Sequence, residues 1–589
     1  MCGIAGMMTM NGEAPPLAFL QGMEKALAHR GPDGNGHYRS GDLGMVQTRL
    51  AIIDLATGDQ PIYEPGGAAL MANGEIYNYL ELHGEVPLAV FSTGSDCELP
   101  LHLYRKFGLD FPKHLRGMYA IALHDPAAGR LVLARDPFGI KPLYYAETAK
   151  GFSFASEAQS LINGGVVPAE LIRQSRNELL QLQFTTGRDT IYSGISRVLP
   201  GETVVVTRGR IVERRRIEAL PQGGAKRMTE AEAIEGFDRV FEESVRLHQR
   251  ADVPYGMFLS GGIDSSAILA MMARLNERPV KAFTIGFSQT GAVDERQDAR
   301  AVATELGAEH VEVEFRESDF WTLLPEIARA MDDPAADYAI LPTYKLAAAA
   351  REAGLKVILS GEGGDELFAG YGRYRSVARP WWAGGKLLRA RGNLDKLGIL
   401  RGDLAGWRDG VAAAELYAQG AGRTRLQIAQ ATDCADWLPN DLLIKLDRCL
   451  MAHGIEGRTP FLDSAIAAFA FRLPDDLKVR RGLGKYVLRR WLEDRVTSAR
   501  AMSKKRGFTV PVGEWIARRG AQLGPLVAAQ PGVREICLPG AVETLFVGAG
   551  DKHKGFAAWT LLFYALWHRH HILKMAPGPD VFSALAASS

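Results

Sequence analysis

The hydrophobic pattern of this chain changes once, near residue 207, and a single fold class does not accommodate both halves. Before the change, short β-like runs alternate with Gly, Pro and Asp turns; examples are Leu131 to Ala134, Thr203 to Val206, and Arg49 to Asp54. From Thr207 to about Thr229 the chain is basic and Gly-bearing with little apolar periodicity, and reads as a linker. After it, Ala231 to His248 reads as a helix, Pro254 to Leu259 as a buried strand and Ser266 to Leu275 as a second helix. Lys281 to Phe287, a helix through Ala299 to Leu306, and Lys356 to Leu359 continue the alternation. Strands alternating with helices predict a parallel α/β sheet, and from about Pro380 the pattern is mostly helical. The expected division is residues 2–206, a linker at 207–229, and a second domain at 230–575.

Composition narrows the function classes. With 589 residues, 47% hydrophobic and 23% charged, the chain is globular and holds several domains or two large ones. Lys and Arg total 69 against 68 Asp and Glu, so no overall field draws it to nucleic acid or an anionic membrane. Its five cysteines include no CxxC pair, which argues against a disulfide framework or a structural zinc site. No basic segment followed by an apolar one opens the chain, and the apolar run Gly555 to Trp567 is shorter than the roughly 18 residues that span a bilayer. The expectation is a cytoplasmic protein acting on small molecules.

Met1-Cys2-Gly3-Ile4-Ala5-Gly6 sets a cysteine behind the initiator methionine. Removal of Met1 leaves Cys2 with a free α-amine of reference pKa about 7.7–8.0, a general base beside its own thiol. A cysteine at position two is by itself unremarked chance, but other motifs accompany it. They are His29-Arg30-Gly31-Pro32-Asp33-Gly34, Arg49-Leu50-Ala51-Ile52-Ile53-Asp54, Asn73-Gly74-Glu75-Ile76-Tyr77-Asn78, Thr93-Gly94-Ser95-Asp96 and Arg135-Asp136-Pro137-Phe138-Gly139-Ile140-Lys141. In order and spacing the series resembles the class II glutamine amidotransferase domain over roughly residues 2 to 205. That resemblance implies an α+β N-terminal-nucleophile (Ntn) hydrolase sandwich, with Cys2 attacking the glutamine amide and releasing ammonia. It gives Asn73 and Gly74 the oxyanion hole and Arg49 the substrate carboxylate. Glu75 and Asp96 take the ammonium, with Leu50, Ala51, Ile52 and Ile53 alongside. Taken singly, Arg49 reads as a surface ion pair and Asn73-Gly74 as a hairpin turn.

In the second half, a strand runs into Ser260-Gly261-Gly262-Ile263-Asp264-Ser265-Ser266 and then a helix. A Gly-rich strand–loop–helix junction points backbone N–H groups at an anion. No GxxxxGK[ST] pattern is present. The segment resembles the pyrophosphate-binding loop of ATP pyrophosphatases, which split ATP between the α and β phosphates. A second loop, Ser360-Gly361-Glu362-Gly363-Gly364-Asp365-Glu366, follows another strand. Both loops then lie at the carboxyl edge of the sheet. Asp264 and Asp365 are candidate Mg²⁺ partners, or solvated loop acids. Glu362 is the candidate for the ammonia acceptor step, and Leu259, Ile285, Ser360 and Gly361 match positions that contact adenosine. Lys485, after Gly482-Leu483-Gly484, matches a lysine that neutralises phosphate charge; its bland reading is an exposed lysine in a basic run.

Nearly the whole chain resembles glutamine-dependent asparagine synthetases, which implies glutamine, aspartate and ATP as substrates, Mg²⁺, a homodimer, and an internal passage for ammonia between the domains. The second domain is expected to be α/β and ATP pyrophosphatase-like with a helical C-terminal part. The acceptor stays open. Relatives carry a Thr-Thr-Ile-Arg stretch where this chain has Asp332 to Tyr344, and Tyr338 stands at the arginine's place. The alternatives are the same amidation on a uronic-acid sugar or small peptide, or a non-catalytic glutamine and ATP sensor. Cys2, Asp264 and Glu362, which a degenerate copy loses first, are all present. The triplet His568, His570 and His571 reads as the polar end of a helix.

Overall fold

The computed structural model describes residues 2–587 except 289, 293, 380, 381, 383 and 505–508. Twelve strands build the first half: β1 Cys2–Thr9, β2 Gly34–Ser40, β3 Leu43–Arg49, β4 Ile62–Tyr63, β5 Ala69–Ile76, β6 Gly117–Asp125, β7 Arg130–Arg135, β8 Tyr144–Thr148, β9 Gly151–Ala155, β10 Ser196–Arg197, β11 Glu202–Thr207 and β12 Arg210–Arg216. They form two antiparallel six-stranded sheets, ordered β10-β8-β9-β1-β3-β2 and β12-β11-β7-β6-β5-β4. Alternation along each strand divides its side chains between two layers. Ile4, Met8 and Met45 of the first sheet meet Met71, Ala120 and Leu133 of the second in the sandwich core. The other faces carry helices, Leu17–Leu27 packing on the first sheet and Leu99–Phe107 on the second. This is the α+β sandwich expected from the sequence.

Two sequence expectations need correction here. The basic stretch from Thr207 is not all linker, because β12 pairs antiparallel with β11 along the sheet edge. Its arginines hid the strand: Arg214 donates to Glu202 Oε1 at 3.0 Å and to the Tyr145 hydroxyl at 2.8 Å, and charged side chains suit an edge strand. Nor is Leu50 to Asp54 a strand, since β3 ends at Arg49. Its amides are taken by carboxylates instead: Ala51 N–H donates to Asp33 Oδ2 at 2.9 Å and Asp54 N–H to Asp252 Oδ2 at 2.8 Å.

The second half holds β13 Tyr255–Phe258, β14 Lys281–Phe287, β15 Glu309–Phe315, β16 Val357–Leu359 and β17 Glu456–Arg458. All pair in parallel, in the order β15-β14-β13-β16-β17. The strand order reverses direction at β13, so the crevice for a ligand opens beyond its carboxyl end. Helix Glu230–His248 enters this domain through a capping box, Thr229 with Glu232. Helix Lys552–His571 runs through the core, and its indoles donate to backbone carbonyls, Trp559 to Ala336 at 2.6 Å and Trp567 to Met331 at 2.8 Å. The histidine triplet forms the last turn of this helix, as the sequence suggests, and is packed inward: His571 is 1% exposed, with Nδ1 2.9 Å from Gln159 Oε1. Among the described residues no helix is long and apolar enough to cross a membrane.

The halves are joined by buried ion pairs. Arg30 Nη1 reaches Glu157 and Asp447 at 2.7 Å each, and Arg448, held within the second half by Asp332 at 2.6 Å and Asp447 at 2.7 Å, lies 3.9 Å from Glu157 of the first. Arg197 grips Asp333 at 2.7–2.9 Å, and the Tyr144 hydroxyl adds a bond of 3.0 Å. Both members of that pair are 2% exposed. Removing one charge strands the other, so Arg197→Met lowers stability by about 3–5 kcal/mol in urea unfolding, while Arg197→Met with Asp333→Leu recovers most of the loss.

Candidate functional site

Cys2 opens β1 directly opposite Arg49 at the end of β3. Across the sandwich, Asn73, Gly74 and Glu75 are consecutive in β5. Cys2 N–H donates to Asn73 Oδ1 at 3.0 Å. Asn73 Nδ2 is buried and has no hydrogen-bond partner among the described residues. Gly74 is dictated by packing, since a Cβ there would lie 2.1 Å from the Met118 carbonyl oxygen. Burial pushes the Cys2 thiol above its ordinary value. Arg49 pairs with the exposed Asp59 at 2.7 Å and donates to the Asp54 carbonyl at 2.5 Å. Burial, with Glu456 and Asp96 nearby, raises the Glu75 carboxyl well above the usual range, and Arg458 Nη2 lies 3.5 Å away. Burial pushes Asp96 up to about 6 although its Oδ2 accepts Ile76 N–H at 2.6 Å. The loop carrying Leu50 to Ile53 completes the wall, tied to the second half through Asp252 N–H to the Ile52 carbonyl at 2.9 Å. The residues expected around glutamine thus lie on these adjoining strands and loops, except Asp96, which opens the short helix Asp96–Glu98.

A second site is a cavity of about 620 Å³ at the carboxyl ends of β13, β14 and β16. Of the residues expected around ATP, it is lined by Leu259, Ser260, Gly262, Asp264, Ser265, Ile285, Ser360 and Gly361, together with Glu362 and Asp365. Ser266 is buried behind the loop, its Oγ donating to the Gly262 carbonyl at 2.8 Å. The loop is preorganised by its own serines: Gly262 N–H donates to Ser260 Oγ at 3.1 Å, and the Ser260 and Ser265 hydroxyls are 2.9 Å apart. Gly261 N–H donates to Glu295 Oε2 at 3.2 Å, so a carboxylate already occupies one amide suited to an anion.

The two loops interlock. A Cβ on Gly364 would fall 2.5 Å from Asp264 Oδ1, and one on Gly370 would fall 1.9 Å from Asp365 Oδ1 and 2.2 Å from Lys485 Cε. These glycines let Lys485, at φ 59°, reach both acids: Nζ bonds Asp264 Oδ2 and lies 2.8 Å from Asp365 Oδ1. Burial works against the ammonium, and the two carboxylates more than offset it, holding it charged. Lys485 is 3% exposed, so it is not a surface lysine. Two carboxylates converging at a phosphate-type loop fit magnesium, whose remaining ligands are usually phosphate oxygens and water. Among the described residues no three His, Cys, Asp or Glu side chains gather as a complete metal site.

The cavity extends past this set to Asp337, within the segment singled out for the acceptor, and to residues that no motif announced: Gln183 from the first half, and Arg373, Arg389, Trp437, Asp441, Lys445 and Phe556. Tyr338, singled out in the sequence, lines it as well.

Residues 236–569 match the family described as asparagine synthase, and residues 1–216 match the glutamine amidotransferase domain. A glutamine-hydrolysing asparagine synthetase of Bacillus subtilis is 30% identical over 625 residues, covering 98% of this chain and 97% of its own. A Mycobacterium tuberculosis protein, provisionally named a glutamine-hydrolysing asparagine synthetase, is 34% identical over 605 residues and 92% of each chain. A Gibberella zeae protein named as an amidase is 32% identical over 407 residues, 64% of this chain and 60% of its own. With both halves matched and the relatives aligned almost end to end, the chain belongs to the asparagine synthase family, its glutamine amidotransferase domain preceding the synthase domain.

Proposed function

We propose that the chain is a glutamine-hydrolysing asparagine synthetase, which uses glutamine, ATP and aspartate and yields glutamate, asparagine, AMP and pyrophosphate. The observation that carries this reading is the pairing, in one chain, of a buried thiol beside the donor Asn73 Nδ2, unpartnered among the described residues, with a Gly-rich loop opening on a cavity of about 620 Å³.

In the first domain, the α-amine of processed Cys2 takes the thiol proton, and Sγ adds to the glutamine amide carbon. The oxyanion accepts from Asn73 Nδ2 and Gly74 N–H, the carbon–nitrogen bond breaks, and the amine returns the proton to the departing ammonia. Water then cleaves the thioester. Arg49 exchanges Asp59 for the substrate carboxylate, and Glu75 with Asp96 receives the ammonium. In the second domain, the Ser260 to Ser266 loop holds the β and γ phosphates, and Leu259, Ile285, Ser360 and Gly361 hold the adenosine. Asp264 and Asp365 would bind Mg²⁺, which neutralises phosphate charge. Lys485 adds a fixed positive charge as pyrophosphate departs. Glu362 orients the ammonia that attacks the acyl-adenylate. Ammonia crosses between the domains shielded from water, which would protonate it.

Pyrophosphate release with Mg·ATP and glutamine tests the reading: aspartate elicits release and yields asparagine, and silence across a panel of carboxylates overturns it. Cys2→Ala loses the glutamine-driven reaction and keeps the ammonia-driven one. Asn73→Ala lowers glutaminase kcat by about 10²–10³, the usual cost of an oxyanion donor. Glu75 and Asp96 attract the ammonium only when ionised. The KM for glutamine therefore rises as pH falls below about 6, by about tenfold per unit for one proton, and Asp96→Asn flattens that limb.

A further inference from the structure

The acceptor end of the cavity carries charges that the nucleotide loops do not use. Asp433, Trp437 and Asp441 are spaced four apart on the widened helix Asp433–Leu442, so they share a face. Asp433 Oδ2 accepts from Arg373 at 2.8 and 3.0 Å. Its other oxygen lies 3.6 Å from Arg389 Nη2, beyond hydrogen-bond reach, and Nη2 is buried with no hydrogen-bond partner among the described residues. Two guanidinium groups therefore share one carboxylate, which holds Arg373 closely and Arg389 loosely. Trp437 fixes the arrangement, with Arg373 4.0 Å and Arg389 4.8 Å from its ring centre, and its Nε1 donating to Asp441 Oδ2 at 2.7 Å. Phe184 supports Arg389 from the other domain at 5.0 Å. Asp337 is neutralised by Lys445 at 2.8 Å, so Asp441 supplies the complementary negative charge. Burial, with Asp337 nearby, pushes Asp441 up to about 7.

We propose that this end of the cavity binds the zwitterionic head of an α-amino acid, Arg389 taking the α-carboxylate and Asp441 the α-ammonium, with Trp437 holding both in register. The proposal rests on the synthetase reading above and deepens it by naming the groups that select the acceptor. A guanidinium that its own carboxylate holds only loosely has donors to give a substrate carboxylate in charge-assisted bonds. Tyr338, at the same cavity, leaves the clamp to Arg389. The side-chain carboxylate of the acceptor is then directed toward the Ser260 and Ser360 loops, where it meets ATP.

The test compares aspartate with β-alanine, which lacks the α-carboxylate, and succinate, which lacks the α-ammonium, in wild-type pyrophosphate release. Both analogues are poor substrates, and comparable kcat/KM for β-alanine and aspartate would overturn the proposal without any variant. Arg389→Gln raises the KM for aspartate about 100-fold, the expected loss of a buried charge-assisted pair, and leaves the KM for β-alanine unchanged. Arg389→Lys is intermediate, while glutamine hydrolysis and the KM for ATP stay at wild-type values. An unchanged aspartate KM in Arg389→Gln overturns the role of Arg389 alone. Absence of aspartate-driven release in the wild type overturns the synthetase reading itself, a distinct result.

Discussion

Arg30 is the charge around which the two halves of the molecule close. It is fully buried, it bonds Glu157 of its own domain and Asp447 of the other, and its Nε donates to the carbonyl of Cys2 at 3.2 Å. Burying a guanidinium is tolerable only when its donors are met, and here they are met from both domains. The backbone of the nucleophile is therefore held by a side chain whose own position depends on the second domain. The thiol end of the first domain and the helix Leu443–Met451 of the second are thus bonded through a single side chain.

Arg458 links the sites from the other side. As the last residue of β17, its carbonyl accepts Ser360 N–H at 2.8 Å, fixing the second nucleotide loop, while its guanidinium lies 3.5 Å from Glu75 in the glutamine pocket. One residue thus borders both chemistries, through backbone on one side and charge on the other. The acidic character of the glutamine pocket follows from the same neighbourhood: Glu75, Asp96 and Glu456 crowd together, and Arg458 is the cation that makes their burial tolerable.

What could be read from the sequence was chemistry carried by adjacent residues. Cys2, Asn73 with Gly74, and the Ser260 and Ser360 loops each combine a reactive group and its backbone requirement within a few positions. Gly74 and Gly364 face atoms that forbid a side chain. Lys485 was ambiguous locally because only the fold shows that Gly370 clears its path to Asp264 and Asp365. Arg389, Trp437, Asp441 and Lys445 gave no signal, since their relationship is tertiary and the helix bearing two of them has no motif. The strand β12 was masked by arginines paired with Glu202 and Tyr145, and the loop at Leu50 to Asp54 by a carboxylate 198 positions away.

The ion pairs that close the interface also set a timetable for synthesis. Arg30 precedes Asp447 by 417 positions, Arg116 precedes Asp463 by 347, and Arg197 precedes Asp333 by 136. At about 5–20 residues per second the ribosome takes tens of seconds to deliver the last of these acids. Until Asp333 is made the completed first sandwich presents three arginines without their interdomain partners, and Arg30 and Arg116 wait longest. β17 arrives in the same late window, so the parallel sheet lacks its edge strand until then. The interface of the nascent first domain is thus hydrated around these arginines, and its drying out coincides with completion of the nucleotide site.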